Sequence, residues 1–283
     1  MGIAGSHSPM RWIACLLLVL VTACGGASQG SPLAAASVEA SPSAAAPSGG
    51  LSVRALDSVE GAPLGYLEYL PPGYSDGDPR PLLVFLHGSG EAGDGSKAAL
   101  ALVDKLGPPE LIEAGDWPDD RPFVVLAPQY GTGPANDDCA IGEDLASFLD
   151  FAMHHYEVDA ARVYLTGISC GAIGAWDYFA AHGDEVVAAA VLISGHAEWA
   201  LEEAGCTPLA EVPVWAFHGA LDPIVPMIHV EGPMDQIRSC ERSVAVELEL
   251  TVYPNADHDA WTRTYDLSAG HDIYGWLLEH EAD

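Results

Sequence analysis

From residue 51 onward the chain alternates two hydrophobic patterns. Short continuous apolar runs recur at residues 81–87, 123–127, 163–166, 186–193, 214–217 and 246–252. Runs of that length, rich in β-branched and aromatic residues, fit strands covered on both faces. Between them apolar residues fall at helical spacing. The clearest case is 143–155, where Leu145, Phe148, Leu149 and Met153 share one face. A small-residue helical stretch follows at 171–181, and another helix, 273–281, closes the chain. Two earlier runs, 52–57 and 64–70, predict strands, the second ended by Pro71-Pro72-Gly73. Alternating strand and helix with buried strands predicts an α/β domain, with a mostly parallel central sheet and helices on both faces. In open sheets of this kind ligands bind outside the carboxyl ends of the strands.

Residues 1–50 break this pattern. Arg11 precedes an apolar run, 12–21, that is too short to span a bilayer. The run ends in Val21-Thr22-Ala23-Cys24-Gly25, which resembles a bacterial lipobox. Residues 1–23 are therefore expected to be a lipoprotein-type signal peptide, with Cys24 as the lipidated residue. An ordinary secretory signal cut near Ala23 is the alternative. Residues 24–50 are almost all Ala, Ser, Gly and Pro, a composition that cannot bury a core and reads as a flexible tether. The folded domain is expected over 51–283. The expected location is outside the cytoplasm, on the cell membrane or outer membrane, held by the N-terminal lipid alone.

Charge narrows the partners. The 283 residues carry 41 acidic against 10 basic side chains, a net charge of −31, and the only lysines are Lys97 and Lys105. Such a surface repels phosphate backbones, which excludes nucleic acid as a partner. The length and a hydrophobic content of 49% suit one large domain. The sequence leaves the oligomeric state open.

The candidate chemistry lies at the ends of the predicted strands. Gly167-x-Ser169-x-Gly171 follows Val163-Tyr164-Leu165-Thr166 and opens the 171–181 helix. A serine on a sharp strand-to-helix turn needs small residues two before and two after it, so that a strained backbone can present Oγ. Leu86-His87-Gly88-Ser89-Gly90-Glu91 follows the 81–87 strand. A turn there can aim a backbone N–H at a developing oxyanion, with a second N–H from Cys170. Asp222 follows the 214–217 strand, before Pro223, where it can orient a histidine. His258 lies in the polar loop after the last strong strand. The order Ser169, Asp222, His258 is that of the α/β-hydrolase triad. Asp257 and Asp259 are rival carboxylates, poorly placed for His258 Nδ1 because they adjoin it. No zinc-ligand spacing occurs, and His154 and His155 face different directions on their helix. The chemistry calls for no cofactor.

These four motifs together resemble secreted α/β-hydrolases of the polyhydroxybutyrate-depolymerase and feruloyl-esterase-like group, often labelled predicted peptidases. The resemblance covers residues 51–283. It implies the α/β-hydrolase fold, with Ser169 as nucleophile, Asp222 as acid, His258 as base, and the Ser89 and Cys170 amides as oxyanion hole. The chain departs from that group at Ala172, where glycine is usual, and at Cys170, where a non-thiol is usual.

Four cysteines remain in the domain: Cys139, Cys170, Cys206 and Cys240. Export permits disulfides. Cys206–Cys240 is the favoured pair, since the two flank the segment bearing Asp222. Cys139–Cys170 is a weaker possibility, and free buried thiols are the alternative to both. The interval 193–213 is too short for a large lid domain. Trp261, beside His258, is expected either to line the cleft or to pack in the core. The expected activity is hydrolysis of a small-molecule or polymer ester. A serine peptidase and a catalytically silent binding lipoprotein are the rivals.

Overall fold

The computed structural model describes residues 49–131, 139–240 and 246–282. The predicted signal peptide, Cys24 and nearly all of the tether fall outside these residues. Among the described residues no helix is long and apolar enough to cross a membrane.

Among the described residues eight strands form one sheet: β1 Ser52–Arg54, β2 Gly65–Tyr69, β3 Arg80–Leu86, β4 Val124–Gln129, β5 Val158–Ile168, β6 Ala189–Ile193, β7 Val214–Gly219 and β8 Leu248–Tyr253. Their spatial order is β1-β2-β4-β3-β5-β6-β7-β8. The β1–β2 and β2–β4 pairs are antiparallel, and all others are parallel. The α-helices are α1 Lys97–Leu100, α2 Gly107–Ala114, α3 Gly142–His155, α4 Cys170–His182, α5 Glu198–Ala204, α6 Ile228–Arg238, α7 Trp261–Tyr265 and α8 Ile273–Leu278.

Side chains alternate across each strand, so a continuous apolar run feeds two cores. Leu82, Val84 and Leu86 of β3 pack with α3, α4, α5 and α6. Leu83 and Phe85 turn the other way, into the layer of α1, α2, α7 and α8. Helices thus cover both faces, as the pattern predicts. The strand ends differ in detail. β5 begins five residues before the apolar run 163–166. Residues 158–162 are at most partly covered, and Asp159 and Arg162 interrupt their apolar side chains, so hydropathy does not mark them. β6 begins three residues late, because Val187 is buried ahead of the ladder. Between β6 and β7 the chain holds only α5 and one 3-10 turn, Pro208–Ala210. No large lid domain is inserted there.

Candidate active site

Ser169 stands between β5 and α4 with φ 50 and ψ −117, a left-handed backbone that L-residues rarely adopt. Its N–H donates to the Ile193 carbonyl at 2.8 Å, and its own carbonyl accepts from Ile173 N–H at 3.1 Å. The flanking glycines are sterically required. A Cβ on Gly167 would sit 2.8 Å from the Gly171 carbonyl carbon, and one on Gly171 would run into the carbonyl oxygens of Leu86 and His87. The start of α4 therefore rests directly on the end of β3. Ser169 itself is half-buried.

The other two groups come from loops stitched to each other. Beyond β7, Ala220 N–H donates to Tyr253 O at 3.0 Å and Leu221 N–H to Ala256 O at 2.9 Å. Asp222 is buried. Its Oδ1 accepts from the N–H groups of Ile224 at 2.8 Å and Val225 at 2.9 Å, a turn fixed by Pro223. Its Oδ2 lies 2.7 Å from His258 Nδ1, and His258 Nε2 lies 2.9 Å from Ser169 Oγ. An ionised carboxylate only accepts, so the imidazole proton sits on Nδ1 and the Nε2 lone pair faces the serine hydroxyl. The rival carboxylates are engaged elsewhere. Asp257 accepts from Asp259 N–H, and Asp259 accepts from Thr262 N–H and Oγ1.

The turn after β3 abuts the serine. A Cβ on Gly88 would lie 3.7 Å from Ser169 Cβ, and Ser89 opens a 3-10 turn, Ser89–Glu91. Cys170 is the first residue of α4, where an N–H has no intrahelical acceptor. Beneath the turn, His87 stacks on Tyr130 with ring centroids 3.8 Å apart. Its Nε2 accepts from Tyr130 N–H at 3.2 Å, so its Nδ1–H donates to Gly88 O at 2.7 Å. The Tyr130 hydroxyl donates to the His87 carbonyl. Burial pushes the His87 pKa down to about 4, which keeps the ring neutral.

Trp261 lies beside His258, its ring edge-on at 5.2 Å, and packs against the α7–α8 core. Its indole N–H is buried without a hydrogen bond. Both disulfides are formed, Cys206–Cys240 and the less favoured Cys139–Cys170. Among the described residues no group of three or more His, Cys, Asp or Glu could hold a metal ion.

Two residues escape the sequence reading. Ser194, at the end of β6, donates its hydroxyl to the His258 carbonyl at 2.7 Å. His218 Nε2 donates to Val225 O at 2.8 Å and lies 3.2 Å from Asp222 Oδ2, so it braces the acid from behind. Burial lowers the His218 pKa, which favours this neutral form. Ser194 carries a weak signal, a Ser-Gly pair directly after an apolar run. His218 lies inside Phe217-His218-Gly219, a stretch otherwise read only for its aspartate.

The Dienelactone hydrolase family matches residues 132–271, just under half of the chain. A thermostable esterase superposes with a TM-score of 0.55 at 22% identity, over 77% of this chain and 59% of the esterase. The chain therefore spans well under two thirds of that esterase. The butyrate-bound esterase Est2 of Thermogutta terrifontis gives 0.53 at 18% identity, over 81% of this chain and 94% of that one. The acylaminoacyl peptidase of Pyrococcus horikoshii gives 0.51 at 13% identity, over 77% of this chain and 39% of that one. The chain has the α/β-hydrolase fold. The sheet carries Ser169, His258 and Asp222 beyond the carboxyl ends of β5, β8 and β7. No curated protein matches it in sequence.

Proposed function

We propose that the chain is an exported serine carboxylesterase, tethered to a membrane by a lipid on Cys24, that hydrolyses short-acyl or polymer-derived esters. The pair of contacts through His258, 2.9 Å to Ser169 Oγ and 2.7 Å to Asp222 Oδ2, carries the reading. Ser169 Oγ attacks the ester carbonyl carbon while its proton passes to His258 Nε2. Asp222 holds the Nδ1 proton and stabilises the imidazolium. The Ser89 and Cys170 amides receive the oxyanion. The bond to the alcohol oxygen breaks as the imidazolium returns its proton to that oxygen. A water deprotonated by His258 then cleaves the acyl-enzyme, releasing the acid and restoring Ser169.

Three features support the substrate class. Leu221, Ile224 and Ile228 are 63%, 66% and 75% exposed beside the Asp222 turn, an apolar rim on an otherwise acidic surface. The β6–β7 connection brings no long insertion to cover a lipid chain. The motifs resemble the polymer-esterase group. A lipase pocket gains about 0.8 kcal/mol for each buried methylene, so its rate climbs with acyl length. Here p-nitrophenyl esters should peak at roughly two to six acyl carbons, as expected where added methylenes find no cover.

The test is a panel of p-nitrophenyl esters, feruloyl esters, acetylated xylan, short polyhydroxybutyrate and peptide anilides, run on wild type and Ser169→Ala. The alanine variant should lose turnover by about 10⁴-fold or more with its fold intact. Rates that climb to long-chain esters indicate a lipase, and anilide cleavage matching ester cleavage indicates a peptidase. The anchor is tested separately. Cys24→Ser should move the exported protein to the soluble fraction, and an unmodified Cys24 by mass spectrometry would overturn that part.

A further inference from the structure

The Cys139–Cys170 disulfide joins the residue next to the nucleophile to a segment far from it in sequence. Cys170 is buried, and the two Cα atoms are 5.2 Å apart. The chain that follows Cys139 then runs along α4. A Cβ on Gly174 would lie 3.0 Å from the Cys139 carbonyl oxygen and would strike the Ile141 side chain. Gly142 N–H donates to Asp177 Oδ2 at 2.8 Å. Residues 170, 174 and 177 are spaced four and three apart, so all three contacts fall on one face of the helix. Residues 139–142 therefore form a strap over the first two turns of α4. Cys139 itself holds φ 63, an uncommon backbone for a residue other than glycine.

On another side the same turn is fixed by Gly171 against the end of β3. The peptide between Ser169 and Cys170 lies between these two constraints. Its direction follows from the strained backbone of Ser169, which an unconstrained helix start would tend to relax.

We propose that Cys139 is a positioning residue for hydrolysis: through its disulfide and strap it holds the Cys170 N–H at the angle the oxyanion requires. The proposal rests on the reading of that N–H as an oxyanion donor. Preorganised donors act by being fixed before charge develops, so a displaced donor lowers transition-state binding more than substrate binding. The second disulfide is the internal control. Cys206–Cys240 ties the segment after α5 to the segment after α6, and neither cysteine adjoins a residue of the Ser-His-Asp set.

The experiment compares wild type, Cys139→Ser and Cys206→Ser in the exported full chain. Readouts are kcat and KM on p-nitrophenyl butyrate, inhibition by an aliphatic trifluoromethyl ketone, and Tm. Cys139→Ser should lower kcat on the order of 10- to 100-fold, leave KM within about twofold, and weaken the ketone by the same factor as kcat. Cys206→Ser should lower Tm while kcat and ketone inhibition stay within about twofold of wild type. Wild-type kcat and inhibition in Cys139→Ser would overturn the proposal, as would equal kcat losses in both variants. Should Cys139→Ser not fold, graded reduction of wild type supplies the same answer. Activity is read before alkylation, and opening of each disulfide is mapped by mass spectrometry. Activity that falls as Cys139–Cys170 opens and returns on reoxidation supports the proposal; full activity with that pair open overturns it. Fluorophosphonate labelling of wild-type Ser169 separates the two levels. An unlabelled, inactive wild type sinks the esterase reading, whereas a labelled wild type with an indifferent Cys139→Ser sinks only this inference.

Discussion

Ser169 and His258 face each other across 2.9 Å and are held there by opposite means. The serine is placed by shape. Gly167 and Gly171 let β5, α4 and the end of β3 close on one another, and backbone strain at Ser169 is the residue of that closure. The histidine is placed by hydrogen bonds between loops. Ser194 holds its carbonyl, Asp222 holds its Nδ1, and His218 and two backbone N–H groups hold Asp222. A site fixed by packing tolerates no added volume, and one fixed by hydrogen bonds tolerates no lost partner.

The sharpest break comes on the hydrogen-bonded side. Asp222→Asn keeps the volume but donates where the imidazole needs an acceptor, so the wrong tautomer faces Ser169. Ester turnover should fall about 10⁴-fold with little change in Tm. An unchanged rate would transfer the acid role to another carboxylate. On the packed side the breaking change is one methyl group. Gly171→Ala drives a Cβ into the Leu86 and His87 carbonyls, which cannot swing aside as a side chain could. It should cost about 3 kcal/mol in urea unfolding, against a gain for an ordinary helical glycine.

Acid tests the packed side again. Burial lowers the His87 pKa from 6.5 to about 4, so the unfolded chain binds a proton that the folded chain refuses. Stability is complete above pH 6.5 and is lost as pH falls from there toward 4, by roughly 3 kcal/mol in all. Burial of His218 acts in the same direction. Urea midpoints at pH 7.5 and 4.5 measure the loss; equal midpoints would mean that His87 is not held neutral. The smallest effect belongs to Ser194→Ala. Loss of one hydrogen bond to the His258 carbonyl should cost about 1 kcal/mol, read as a several-fold fall in kcat at constant KM.

The same contrast explains what was legible in the sequence. Positions fixed by shape leave a local record. Gly167, Ser169 and Gly171 are two apart, and the β3 run alternates its side chains so regularly that both cores can be assigned from it. Asp222 and His258 were legible because each sits at a strand end within its own short motif. The partners that hold them were not. Ser194 is 64 residues from His258, and nothing local to a serine records which distant carbonyl it will meet. The Cys139–Cys170 pair could be named from the sequence only as one of several pairings, for the same reason. Pairing depends on how the chain ahead of α3 crosses α4, and cysteine spacing does not encode that crossing.

Backbone strain at position 169 also bears on how such a fold evolves. With φ 50 and ψ −117, this is a position where glycine rests easily and serine does not. Selection for stability and selection for turnover therefore point in opposite directions at a single codon. In a descendant that keeps the fold only as a binding surface, glycine is the replacement that stability alone favours. Glycine at this place, in an otherwise intact constellation, would mark a lineage that has given up hydrolysis.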